Sequence, residues 1–269
     1  MRLAAVALFT LLCIPDIADA QSTPKTVFLE DLTWTEVRDI QKAGTSTIII
    51  GTAGQEQKGP HMVTGEHKYV LRHTTDKIAR VIGDALVAPI ITYVPEGSWN
   101  TPLRGHMAKA GSITLPEDRF IDLLVHTGKS LFAGGFRTII LIGDSGGNQS
   151  GMKAAADTLN AAFGGKGRAL FIGDYYTKAS ADIRTYLGGL GFSTESIGSH
   201  AGMVDTSELL FVNPSLVRRE RLAPNGGSPD SGVSGDPTKA SAELGKALVQ
   251  IKIDNAVSQI RANLSAGAR

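Results

Sequence analysis

The chain has 269 residues, 42% hydrophobic and 20% charged, with 27 Lys and Arg against 26 Asp and Glu. That is too apolar for a disordered chain, and a net charge of +1 gives no electrostatic footprint for nucleic acid or an anionic membrane. A single cysteine excludes an internal disulfide framework and a thiolate zinc cluster.

Residues 1–20 read as an export signal. Met1-Arg2 is a positive start, residues 3–14 form an apolar stretch too short to span a bilayer, and Ala18-Asp19-Ala20 is a cleavage site ahead of Gln21. Cleavage removes Cys13, so the mature chain lacks cysteine. A periplasmic or secreted protein without membrane attachment is expected, with residues 21–269 forming one domain.

Apolar β-branched runs then alternate with amphipathic stretches. Residues 46–51 (STIIIG) predict a buried strand. Val70, Leu71, Ile78 and Val81 set a helical period over 68–82, and 85–93 (ALVAPIITY) reads as the next strand, interrupted by Pro89. A helix is predicted over 117–134, a strand over 137–143 (RTIILIG), a helix over 150–163, a short strand over 169–172 and a helix over 179–187. Residues 223–237, rich in Gly, Ser, Pro and Asp, predict an ordered surface loop, and 240–264 a long C-terminal helix. The alternation specifies an α/β fold: a three-layer α/β/α sandwich with a mainly parallel central sheet.

In such sheets ligands bind at the carboxyl ends of the strands. The loop after STIIIG places Glu56, Lys58, His61, Glu66 and His67 within twelve residues, and the loop after RTIILIG reads Asp144-Ser145-Gly146-Gly147-Asn148. Gly105-His106-Met107 and Ser199-His200-Ala201-Gly202, followed by Asp205-Thr206-Ser207, are further polar clusters. Residues 143–147, GDSGG, spell the nucleophile motif of chymotrypsin-like serine proteases. Those are cysteine-bearing β-barrels, whereas here the motif is a strand-to-helix turn, so the match is read as coincidence.

Across nearly the whole mature chain, these landmarks resemble the creatininase (creatinine amidohydrolase) family. They begin at Leu32-Thr33-Trp34-Thr35-Glu36 and continue with the Glu56 to His67 loop, which contains Gly59-Pro60-His61. His106 with Ala110-Gly111-Ser112 follows, then residues 143–148, His200-Ala201-Gly202 with Asp205-Thr206-Ser207, and finally Gly232 to Pro237 before the last helix. The resemblance implies a hydrolase that opens small, often cyclic, amides with water activated by two metal ions, zinc or manganese. It also implies a homo-oligomer, commonly a hexamer in the family. The family's ligand pattern falls here on Glu56, Lys58, His67, Ser145 and Gly147, so only Glu56 retains a ligand of the family's type.

Three readings stay open. A remodelled single-metal site would use Glu56, His67 and Asp144, with Lys58 replacing part of the second ion's charge and His106 or His200 shuttling the proton. A metal-free hydrolase or lyase would work through Lys58 or Ser145. A periplasmic protein on the same scaffold would bind a small molecule without catalysis. Candidate catalytic residues are therefore Lys58, His106, Ser145 and His200; candidate substrate contacts are Trp99, Gly146, Gly147, Asn148 and Asp205; candidate metal ligands are Glu56, His67 and Asp144. His61 is assigned a structural or ligand-supporting role, and His73 and His126 are expected at the surface.

Overall fold

A computed structural model describes residues 26–266; the export signal expected at 1–20 lies outside them. In chain order the elements are α1 (Trp34–Lys42), β1 (Thr47–Thr52), α2 (Glu66–Ile82), β2 (Ala85–Val87), a hairpin of β3 (Gly97–Ser98) and β4 (Arg104–Gly105), and α3 (Glu117–Ala133). There follow β5 (Thr138–Gly143), α4 (Gln149–Phe163), β6 (Arg168–Phe171), α5 (Thr177–Gly189), α6 (Thr194–Ile197), α7 (Met203–Val212) and α8 (Ala242–Ala266).

The main sheet is parallel throughout in the order β2-β1-β5-β6, with Thr47 to Thr52 of β1 in register with Thr138 to Gly143 of β5. Strand alternation sends neighbouring side chains to opposite faces. Ile49, Ile140 and Ile142 pack with Val70, Leu71 and Ile78 of α2 and Val249, Ile253 and Ile260 of α8. Ile48, Ile50, Ile139 and Leu141 pack with Phe120 and Leu124 of α3 and Met152 and Leu159 of α4. These are the three layers the alternating pattern predicts. Each buried isoleucine or leucine contributes about 1.5–3 kcal/mol relative to exposure.

The expected strand over 85–93 is cut to Ala85–Val87. Pro89 has no N–H for the ladder, and pairing resumes only at Ile91, which donates to Gly51 O at 2.9 Å and accepts from Ala53 N at 2.9 Å. Helix α1, which the periodicity did not mark, is set by a capping box between Thr33 and Glu36. The 223–237 loop is bound to itself, Asn225 N donating to Gly235 O and Ser231 Oγ to Asn225 O. Among the described residues, no helix is long and apolar enough to cross a membrane.

The chain leaves β1 toward β2 on one side and reaches β5 on the other. The loops after Thr52 and Gly143 therefore diverge, opening the crevice in which α/β sheets bind ligands.

Candidate active site

A cavity of about 780 Å³ fills this crevice; Glu56, Lys58, His67, Glu96, His106, Asp144, Ser145, His200, Asp205 and Lys252 are among the residues lining it. The first loop is pinned before any chemistry is considered: Glu56 N donates to Thr64 O, Gln57 N to Ser112 Oγ, and the Gln57 amide to Gly232 O. That places Glu56 and Lys58 at fixed points between the sheet and α7.

Lys58 is 1% exposed, and its Nζ lies 3.0 Å from Glu56, 3.2 Å from Glu66 and 2.9 Å from Asp205. Burial alone would lower its pKa, but Asp205, Glu66 and Glu56 outweigh that and hold it well above the ordinary lysine value. A second ammonium, Lys252 of α8, lies 2.9 Å from Asp144 and 2.6 Å from Glu208. Between these two cations sits His67, with Nε2 2.9 Å from Glu56 and Nδ1 3.2 Å from Glu66 and 3.3 Å from Asp144. Burial and the Lys58 charge oppose its protonation; the carboxylates prevail and raise its pKa well above the ordinary range.

Two carboxyl groups respond in opposite directions. Burial pushes Glu56 up, yet Lys58 and His67 hold it far below the usual carboxylate range. Glu96, 5% exposed, is pushed up to about 9 by burial and by its hydrogen bond and charge contact with Glu56. Its carboxyl packs directly on Gly54, where any Cβ would overlap it. On the opening side, His106 Nε2 lies 3.2 Å from Glu56 Oε2 and His200 Nδ1 3.7 Å from Glu56 Oε1. The two imidazoles pack 4.6 Å apart. His200 Nε2 is 2.8 Å from Gln57 O; a carbonyl only accepts, so this nitrogen carries the hydrogen and Nδ1 presents its lone pair. Burial, reinforced by Lys58, lowers the pKa of both histidines.

The model of the creatininase family, described as creatinine amidohydrolase, matches residues 30–260. The chain belongs to the creatininase family. It is thus an enzyme of the creatininase-like amidohydrolase class. A mycofactocin precursor peptide peptidase of Mycobacterium tuberculosis (strain ATCC 25618 / H37Rv) is 26% identical over 240 residues, covering 80% of this chain and 84% of that protein. The crystal structure of a creatinine amidohydrolase (creatininase) superimposes with a TM-score of 0.73 at 22% identity, covering 89% of this chain and 98% of the other. Similar structures include a manganese creatininase and a mutant creatininase of zinc–zinc type. At this identity the superpositions establish the fold.

Among the described residues, two groups of donor atoms are close enough to hold a cation: Glu66, His67 and Asp144, and Glu56, His106 and His200. The inner group does not fit one. Both nitrogens of His67 face carboxylate oxygens and so act as N–H donors, leaving no lone pair, and ammonium ions already sit on Glu66 and Asp144. The trio expected from sequence, Glu56, His67 and Asp144, is corrected on the same ground. Glu56 and Asp144 meet opposite edges of the ring, so the three do not converge on one point. The outer group keeps free capacity that the inner one lacks: Lys58 and His67 meet Glu56 at Oε1, Oε2 faces only His106 among the two imidazoles, and His200 Nδ1 carries no hydrogen because Nε2 donates to Gln57 O.

Other expected residues fall as follows. Ser145, Gly146, Gly147 and Asp205 line the cavity. Ser145 hydrogen-bonds the Glu96 carboxyl. Asp205 accepts from Lys58 and from Ala201 N. Two substrate contacts are corrected. Trp99 is 55% exposed and outside the cavity lining, because the β3–β4 hairpin carries it outward; Asn148 is fully buried and donates to Thr52 Oγ1 at 3.2 Å, facing the sheet. His61 is buried against Thr206 Oγ1 at 3.0 Å, tying the first loop to α7. His126 is exposed, whereas His73 is half-buried edge-on against Phe211.

Sequence reasoning noted Glu66 in the first loop without giving it a role, and missed Glu96, Glu208 and Lys252. The available signal was a charged residue inside an apolar run: Lys252 stands between Ile251 and Ile253, and Glu208 precedes Leu209-Leu210.

Proposed function

We propose that this creatininase-family enzyme hydrolyses a small amide or lactam, or a related lactone or ester, in the cavity at the carboxyl ends of β1 and β5, after export to the periplasm or beyond the cell. The proposed assembly is the family's homo-oligomer, a hexamer. The observation that carries the reading is the convergence of Glu56, His106 and His200 on one side of this cavity, with the tautomer of His200 fixed by the Gln57 carbonyl.

Without a bound ion, His200 Nδ1, unprotonated because Nε2 donates to the Gln57 carbonyl, takes the proton from the attacking water. With an ion bound, that lone pair would be its ligand, and the lowered pKa of the ion's water would replace the base. The N–H groups of Gly146 and Gly147 open a helical turn, where the first donors have no intrahelical acceptor, and they line the cavity. They polarise the scissile carbonyl and hold the negative charge that develops on its oxygen. Glu96 keeps its proton at neutral pH and gives it to the departing nitrogen or oxygen. Glu56, Asp205 and Lys58 keep these groups in place. Lys58 is unsuited to act as a nucleophile, since a protonated amine held by three carboxylates has no free lone pair. A divalent ion, zinc or manganese, would be held by Glu56, His106 and His200. When bound, it supplies Lewis acidity and a water of lowered pKa.

The test is turnover, by mass spectrometry, of a panel of lactams, hydantoins, acyl amides and lactones, with creatinine included. His200→Ala and Glu56→Gln are expected to lower kcat by about 10²–10⁴-fold on any substrate found. Unchanged turnover in both variants would sink the assignment, as would a panel that binds in the cavity without reacting.

A further inference from the structure

We infer that this chain holds a single divalent transition-metal ion on Glu56, His106 and His200, and that the buried Lys58 ammonium excludes a second. The inference rests on the hydrolytic reading for the use of the ion; its binding is a separate question with a separate readout.

Four observations carry it. First, the three donor atoms lie within 4.8 Å of one another without rearrangement. Second, His200 donates through its far nitrogen to a backbone carbonyl, the support that fixes a metal-ligating histidine in its tautomer and orientation. Third, the 3.7 Å between His200 Nδ1 and Glu56 is too long for a hydrogen bond, so that carboxylate does not engage this lone pair. His106 is held beside it, its backbone N–H donating to Glu96 O at 2.9 Å. Fourth, Lys58 and His67 both meet Glu56 Oε1, which leaves Oε2 turned toward His106 Nε2 at 3.2 Å, the edge that would meet the ion.

The same geometry limits the number of ions. Lys58 occupies the space between Glu56, Glu66 and Asp205, His67 lies against both Glu66 and Asp144, and Lys252 against Asp144. A second dication would have to displace an ammonium buried to 1% exposure. The donor set also selects the chemistry. Two imidazole nitrogens and one carboxylate suit zinc and other first-row transition ions with an open water position, whereas magnesium and calcium prefer all-oxygen sites.

The test uses the full mature protein, stripped with a chelator and titrated with Co²⁺ alone, read by visible absorption and competed by Zn²⁺. One equivalent of Co²⁺ is expected. His106→Ala and His200→Ala should each weaken it by more than the roughly 10–100-fold that losing a ligand's outer partner costs. Glu66→Gln, in the inner group, should leave Co²⁺ affinity within threefold. Circular dichroism of each variant separates loss of fold from loss of ligand, and His106→Asn serves as a milder second variant. No stoichiometric Co²⁺ in the wild type, full affinity in both folded histidine variants, or loss in folded Glu66→Gln would each overturn the inference. The optical readout needs no substrate, so it stands even if no hydrolytic activity is found.

Discussion

Replacing Lys58 by methionine is expected to remove about 3–5 kcal/mol of stability near neutral pH, the cost of leaving buried carboxylates without their cation. Methionine is close to lysine in length, so the main loss is the charge between Glu56, Glu66 and Asp205. The pH dependence has a definite sign. In the wild type the folded pKa of Lys58 is raised, so its contribution is complete below the unfolded value of about 10.4 and fades only above it. Asp205 is depressed by Lys58 despite burial, so its contribution is present above its unfolded value of about 3.9 and lost as acid titrates the folded group. In the variant the three carboxylates rise above their unfolded values, which penalises the fold progressively as pH increases. The gap between the proteins should therefore widen from pH 5 to pH 8. Urea unfolding at both pH values in chelator-treated buffer measures it. A loss under 1 kcal/mol, or one equal at both pH values, would count against the caged ammonium. Arginine should not rescue, because a planar guanidinium cannot copy an ammonium shared among three carboxylates.

This contrast between Lys58 and its surroundings also marks how far the sequence could be read. β1 and β5 were legible because a six-residue β-branched run buried on both faces has few alternatives, and their carboxyl ends located the cavity. Glu56, Lys58, His67 and Asp144 were legible as neighbours for the same reason. Which ring nitrogen each carboxylate meets was not, since that depends on side-chain direction at three separate elements. Lys252 pairs with Asp144 across 108 positions, a partnership that only the packing of α8 on the sheet creates. Trp99 and Asn148 show the opposite error: each lies beside a site loop in the chain, but one is carried outward by a hairpin and the other turns back to Thr52. Proximity in sequence places a backbone, and the register of the element decides where its side chain goes.

The second large effect is expected at Gly198, two residues before His200. Its backbone, at φ +71° and ψ −162°, is in a region essentially restricted to glycine, which costs another residue about 1–3 kcal/mol. A Cβ there would also overlap the Ser234 carbonyl and the Gly235 backbone, neither of which can rotate away as a side chain could. That contact is the pairing that positions His200: Ser199 N donates to Ser234 O at 3.3 Å and Ser234 N to His200 O at 2.8 Å. Gly198→Ala should therefore lose more than about 3 kcal/mol, strain and overlap acting together, and should weaken Co²⁺ binding and hydrolysis by shifting the imidazole. Gly83→Ala is a reference for positive φ without overlap, because Gly83 has φ +81° and ψ −26° with open space where a Cβ would stand, and it ends α2 away from the cavity. It should cost only about 1 kcal/mol and leave Co²⁺ affinity unchanged. Equal losses in the two variants would mean that overlap with Ser234 contributes nothing. Full Co²⁺ affinity in folded Gly198→Ala would mean that this pairing does not set the position of His200.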